Sequence, residues 1–250
     1  MKRVLVTGGA AGIGRAIAAR FVAAGDKVLT CDVDTTGLDE ARAALPGLLA
    51  LSCDVSIPAQ VDALFESVAR DLGGLDVLVA NVGIGGPTLP ADQLPLSDWQ
   101  RVMDVNLTGT FDVTRRAIPL LKQSRGTIVI MSSAAGRLGY PNRIPYAVSK
   151  WGLVGMAKTL AAELGEFGIS ANAILPGAVG GERFERVIAG RAALSGRPFE
   201  EELLAGFDNQ SLKQVVAPEH VADLAYFLTT PAGRSISGAA LPIDNDLHRG

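Results

Sequence analysis

The sequence predicts a doubly wound α/β fold, a single domain whose parallel sheet of about seven strands is covered by helices on both faces. Three observations predict it. Short apolar runs such as Val4-Leu5-Val6 and Val77-Leu78-Val79 alternate with longer stretches of helical periodicity. The 250 residues are 48% hydrophobic and 20% charged, which suits one large, well-buried core. A glycine-rich turn, Thr7-Gly8-Gly9-Ala10-Ala11-Gly12-Ile13-Gly14, joins the first apolar run to the first helical one.

The elements follow in order. Val4 to Val6 is a short buried strand, and the alanine-rich stretch Ile13 to Ala24 is a helix. Lys27 to Cys31 is the second strand, and Thr36 to Leu45 a short helix closed by Pro46-Gly47. Leu48 to Cys53 is the third strand. Pro58 suits a helix start, and Val61, Leu64, Phe65 and Val68 form an apolar stripe at helical spacing before Gly73-Gly74. Val77 to Val79 is the fourth strand. A long helix runs from Ser97-Asp98 towards Lys122, with Pro119 able to kink or end it. Thr127 to Met131 is the fifth strand, Ile144 to Gly165 a helix, and Ser170 to Leu175 the sixth strand. A late helix opens at Pro218-Glu219, and Ala240 to Ile243 is the last strand. The one long irregular stretch, about 177–214, holds helical fragments between glycines and reads as a substrate-binding lid.

Composition excludes several classes. The net charge of -3 leaves no basic stripe for a nucleic acid. The two histidines, His220 and His248, form no pair with metal-ligand spacing, so no metal is expected. Cys31 and Cys53 read as free, buried thiols of a reducing compartment, although spacing alone cannot exclude a bridge. The apolar run after Met1-Lys2-Arg3 is too short for a signal peptide, and no later run reaches about 18 apolar residues. The expectation is a cytoplasmic chain with no membrane partner.

The glycine turn lies where a strand meets a helix. Glycines let the backbone approach a pyrophosphate closely, and the helix start adds free N–H groups and a positive dipole end. Asp32 ends the second strand, eighteen positions beyond Gly14. A carboxylate there accepts from adenosine ribose hydroxyls and repels a 2′-phosphate, so NAD is expected over NADP. Tyr146 and Lys150 lie four apart on one helix and share a face. A free tyrosine titrates near about 10, and a neighbouring lysine cation favours its phenolate. Such a phenol can exchange a proton with a substrate oxygen. Ser133, thirteen residues before Tyr146, can donate a hydrogen bond to that oxygen.

Thr7-Gly8-x-x-x-Gly12-x-Gly14, Asn81-Val82-Gly83-Ile84, Asn106, Ser133, Tyr146-x-x-x-Lys150 and Pro176-Gly177 stand in this order over nearly the whole chain. Together they resemble the short-chain dehydrogenase/reductase family, with its Rossmann-type domain. The resemblance implies a catalytic tetrad of Asn106, Ser133, Tyr146 and Lys150. It gives Lys150 a bond to the nicotinamide ribose and Asn106 a water leading to solvent. It also implies cofactor contacts from Gly8, Gly12, Ile13 and Gly14, from Asp54 and Val55 at the adenine, and from Asn81 and Gly83 at the adenosine ribose. Pro176, Gly177 and Val179 match the loop packed on the nicotinamide. Family members are usually homotetramers or homodimers, and Ala147, Val148, Leu153, Val154 and Met156 are candidates for apolar contacts there. Trp151 is read as a packing or subunit-contact residue.

The chain departs from the pattern at three places. Ala80-Asn81-Val82-Gly83 replaces Asn-Asn-Ala-Gly, Gly181 replaces a threonine, and Asp244-Asn245-Asp246 replaces Asp-Gly-Gly. The lid carries Arg183, Arg186, Arg191 and Arg197 among Glu182, Glu185 and Glu200. These form either a solvated helix surface or a seat for an acidic substrate, with Arg183 and Arg143 the named candidates. The expected function is hydride transfer between NAD and a secondary alcohol or ketone, such as a sugar, sugar acid or hydroxy acid. The alternatives are a 3-oxoacyl thioester reductase, which Asp32 disfavours, and a nucleotide-sensing protein without catalysis.

Overall fold

The computed structural model describes residues 1–248, apart from the side chains of Glu182 and Arg183. The strands are β1 (Arg3–Thr7), β2 (Lys27–Asp32), β3 (Leu49–Ser52), β4 (Val77–Ala80), β5 (Thr127–Met131), β6 (Ser170–Pro176) and β7 (Ala240–Ile243). All pair in parallel, in the order β3-β2-β1-β4-β5-β6-β7. The register sets Leu5 between Leu29 and Leu78. Successive strand residues point to opposite faces, so a run that is apolar throughout must be covered on both sides.

The two cores divide that way. Leu5, Leu29, Leu78 and Ile128 face one core. Val61 and Leu64 of α3 (Pro58–Ser67) reach it, as do Leu121 of α5 (Gly109–Ser124) and Leu153 of α6 (Ile144–Leu164). Val4, Val6, Val28 and Val79 face the other. There they meet Ile17 and Phe21 of α1 (Gly12–Ala23), Ala41 of α2 (Thr35–Ala44) and Val221 of α9 (Pro218–Phe227). The sheet order reverses between β1 and β4, which opens a crevice beyond their C-terminal ends.

Four sequence expectations change. The long helix before β5 is interrupted: α4 (Leu96–Met103) passes through a π-helical turn, Asp104–Thr108, into α5. Pro119 lies inside α5, which continues to Ser124. The stretch 177–214 is less irregular than expected. It holds α7 (Glu182–Ser195) and α8 (Phe199–Asp208), and Gly196, at φ 72°, ends α7 in a left-handed cap. Gly190 and Gly206 are absorbed inside these helices rather than breaking them. Leu153 is a core residue, 1% exposed, and Val154 and Met156 pack against the same core. The apolar groups left outward are Val148, Trp151 and Phe111.

Cys31 and Cys53 are free and buried. Among the described residues, no helix is long and apolar enough to cross a membrane, and no three His, Cys, Asp or Glu side chains stand so as to hold a metal ion.

Candidate active site

A cleft of about 1200 Å³ lies over the C-terminal ends of the strands. Its floor at one end is the glycine turn. A Cβ on Gly14 would collide with the Gly8 carbonyl oxygen, so only glycine lets α1 begin this close to the turn. Ala11 at the N-cap offers no side-chain cap and the first turn of α1 carries no acid. The amide groups there are left for an outside anion, as a pyrophosphate requires. Asn81 holds the turn in place: its amide nitrogen donates to the carbonyls of Thr7 (3.1 Å) and Gly8 (3.0 Å). Gly12 and Ile13 line the same end of the cleft.

Asp32 stands at the tip of β2. Its carboxylate accepts from the backbone N–H of Ala10 (3.1 Å) and of Asp34 (3.2 Å). The nearby guanidinium of Arg15 is spent on Glu40 at 3.4 Å. Asp54 accepts from the Ser56 hydroxyl at 2.6 Å and pairs with Arg101 at 3.2 Å. Burial pushes its carboxyl up, but the Ser56 bonds and Arg101 outweigh this and hold it below the ordinary range. Val55 lies beside it on the cleft wall. Beneath them, a hydrogen bond to Cys53 and burial push the Cys31 thiol up, which keeps it protonated and unreactive.

At the other end, α6 presents Tyr146 and, one turn on, Lys150. The Lys150 Nζ sits 5.7 Å from the Tyr146 ring centre and donates to the Met131 carbonyl at 2.8 Å. This buried ammonium, 2% exposed, therefore bridges the end of β5 and the tyrosine. Ser133 lines the cleft beyond β5, and its hydroxyl accepts from Ala135 N–H at 3.2 Å. Ser132 turns inward and donates to the Lys150 carbonyl. Gly83 lies next to Lys150, where an added Cβ would stand 3.2 Å from Nζ.

Asn106 lies behind the wall, fully buried in the π turn. Its side chain accepts from Ile84 N–H (2.7 Å) and donates to the Ile84 carbonyl (2.9 Å) and Ser149 Oγ (3.0 Å). Its own carbonyl accepts from the Thr110 hydroxyl at 2.8 Å. The side chain thus ties the loop at Ile84 to Ser149 of α6, and its Oδ1, with one bond from Ile84, keeps a second lone pair.

Pro176, Gly177 and Val179 line the cleft. Gly177 N–H donates to Ile243 at 3.0 Å, and Val179 bridges to Val216. Gly181 caps α7 at φ 122°, a conformation that disfavours the threonine expected there. After β7, Asp244 is buried and accepts from Arg137 Nε at 3.1 Å. Asn245 and Asp246 take φ 57° and 58°, the left-handed geometry that glycines would otherwise supply.

Arg143 is buried on the cleft wall. Its guanidinium carbon sits 5.3 Å from the Tyr146 ring centre and Nη2 donates to Gly85 at 3.1 Å. The other arginine named from sequence, Arg183, has its side chain outside the described residues. The structure adds Tyr140, Arg191 and Glu202 to the wall. Tyr140 carries no sequence signal beyond its nearness to Tyr146, and Arg191 was one of four similar lid arginines.

A family model described as enoyl-(acyl carrier protein) reductase matches residues 8–248. A 2-dehydro-3-deoxy-L-rhamnonate dehydrogenase (NAD(+)) from Sphingomonas sp. (strain SKA58) is 39% identical over 69% of this chain and 70% of its own. The crystal structure of an NAD+-bound xylitol dehydrogenase superposes with a TM-score of 0.93 at 29% identity, covering 98% of both chains. A single-residue variant of actinorhodin polyketide ketoreductase with NADPH also reaches 0.93, at 30% identity over 97% of this chain and 95% of its own.

Proposed function

This chain belongs to the short-chain dehydrogenase/reductase family, oxidoreductases of CH–OH groups, and from that premise we propose NAD-dependent oxidation of a small polar or acidic secondary alcohol, or reduction of its ketone. The bound dinucleotide supplies the hydride acceptor or donor. Gly8, Gly12, Ile13 and Gly14 would hold its pyrophosphate, and Asp32, Asp54, Val55, Asn81 and Gly83 its adenosine half. Pro176, Gly177, Val179 and Lys150 would hold the nicotinamide half. Asp32 favours NAD, because its carboxylate meets ribose hydroxyls well and a 2′-phosphate badly.

One observation carries the reading: a buried lysine ammonium 5.7 Å from a cleft-facing tyrosine ring. The cation lowers the cost of the Tyr146 phenolate, so Tyr146 takes the hydroxyl proton in oxidation and returns it in reduction. Ser133 donates to the reacting oxygen and fixes its position. Asn106 supports this constellation from behind, through Ile84, Ser149 and its carbonyl. Arg143 contacts the substrate beside Tyr146.

Measuring NAD reduction with a panel of secondary alcohols, for wild type and Tyr146→Phe, tests the proposal. The variant should lose about 100-fold or more in rate. Equal rates would remove the acid/base role. We further infer a cytoplasmic homotetramer or homodimer, joined through the exposed Phe111, Val148 and Trp151; a monomer in sedimentation at micromolar concentration would overturn it.

A further inference from the structure

Resting on the reading of Tyr146 as the reacting end, we propose that the substrate carries a carboxylate and that Arg191 and Tyr140 hold it, with Arg143 as a second cation. The charges along the cleft are divided. At the adenosine end Asp32, Asp34, Glu40 and Asp54 dominate, and both arginines there, Arg15 and Arg101, are ion-paired with Glu40 and Asp54. Beyond Tyr146 the wall carries Arg143, Arg186 and Arg191. The acid on that part of the wall, among the described residues, is Glu202, which lies 4.0 Å from Arg197.

Arg191 is not used by the fold in the way most arginines here are. Its Nη2 donates to the Tyr140 hydroxyl at 3.0 Å, a neutral acceptor, and among the described residues it forms no ion pair. A guanidinium has five donors in a planar fork that matches a carboxylate, so this bond leaves most of the fork available. Tyr140 accepts from Arg191, which directs its own O–H away from that bond and makes it a second donor to the same ligand. The Tyr140 ring stands edge-on to Tyr146, with centres 6.5 Å apart. The row Tyr146, Tyr140, Arg191 therefore runs from the reacting group to an anion seat. Gly190 keeps this seat in place: a Cβ there would lie 3.3 Å from Thr88 Oγ1, so α7 rests closely on the loop after β4. Arg143, 6% exposed, adds a cation that water screens poorly.

The test compares acids with their uncharged amides on the NAD-loaded protein. Gluconate with gluconamide and 3-hydroxybutyrate with 3-hydroxybutyramide are the pairs, and glycerol 3-phosphate is the phosphate arm. An acid should exceed its amide by about 100-fold in kcat/KM, mainly through KM. Arg191→Met should erase that difference, Arg191→Lys should restore part of it, and Tyr140→Phe should lose roughly fivefold. NAD affinity and Tm of each variant check that the fold is intact. Calorimetric binding of gluconate to the NAD-loaded wild type, lost in Arg191→Met, reads the seat without turnover. Equal use of acid and amide, gluconate binding unchanged in Arg191→Met, or a preference for the phosphate ester would each overturn the carboxylate seat. A protein that binds gluconate through Arg191 yet oxidises no alcohol keeps the seat and defeats the redox reading instead.

Discussion

The Ser132 hydroxyl donates to the Lys150 carbonyl over 2.8 Å and ties the end of β5 to the middle of α6. Ser133, the next residue, faces the cleft. Substitution of these neighbours should separate stability from rate. Ser132→Ala leaves a buried carbonyl without that donor and should cost about 1–3 kcal/mol. Ser133→Ala loses the bond from Ala135 N–H, at a cost of about 0.5–1 kcal/mol, and should lower kcat about 100-fold or more. Thermal melts and steady-state kinetics of both variants check this; a rate loss confined to Ser132→Ala would reverse the assignment.

Asp32 should set cofactor choice. In Asp32→Ser the repulsion of a 2′-phosphate is removed while a ribose hydrogen bond can remain. The ratio of NADP to NAD efficiency should rise by about tenfold or more. An unchanged ratio would mean that selection lies elsewhere.

Asp76 should contribute acid-sensitive stability. It accepts from the Arg3 backbone (2.7 Å) and pairs with the Arg3 guanidinium (2.7 Å). Burial raises its pKa, but these Arg3 interactions together hold the carboxyl below the ordinary range. A lowered folded value means that the unfolded chain binds more protons in the window between the two values. The stabilisation is complete above the unfolded value of about 4 and fades as pH falls through the folded one. Asp76→Asn should cost roughly 1–2 kcal/mol at neutral pH and approach wild type in strong acid. Denaturant titrations across that range give the difference directly, and a constant gap would contradict the linkage.

Gly181 should resist any side chain. At φ 122° its backbone is unfavourable for L residues, yet no heavy atom lies within 4 Å of an added Cβ. Gly181→Ala and Gly181→Thr should therefore weaken the lid by similar amounts, on the order of 1–2 kcal/mol. Amide exchange in α7 measures it. A larger loss for threonine would indicate crowding instead of backbone strain.

The sheet was legible because buried parallel strands are written as unbroken apolar runs. Thr127 to Met131 matches its strand end to end. The glycine turn and the Tyr146–Lys150 spacing were legible because each is local. In the stretch 177–214 the helical pieces were legible but their lengths were not, because glycine content suggested breaks at Gly190, which sits inside α7 close to Thr88. Leu153 was misplaced because α6 is apolar nearly all round, so periodicity alone does not say which side meets the core. Arg191 and Tyr140 are 51 positions apart, and only tertiary packing brings them together.

The segment after β7 ties two walls of the cleft together. Arg137, from the stretch that follows Ser133, donates to both Asp244 and the Leu247 carbonyl. Leu247 bridges to Gln210 and His248 N–H donates to Asn209, just past α8. One arginine thus links the end of α8 to the stretch that follows Ser133. Arg137 therefore joins two walls of the cleft, the α8 side and the Ser133 side, so Arg137→Ala should loosen both at once.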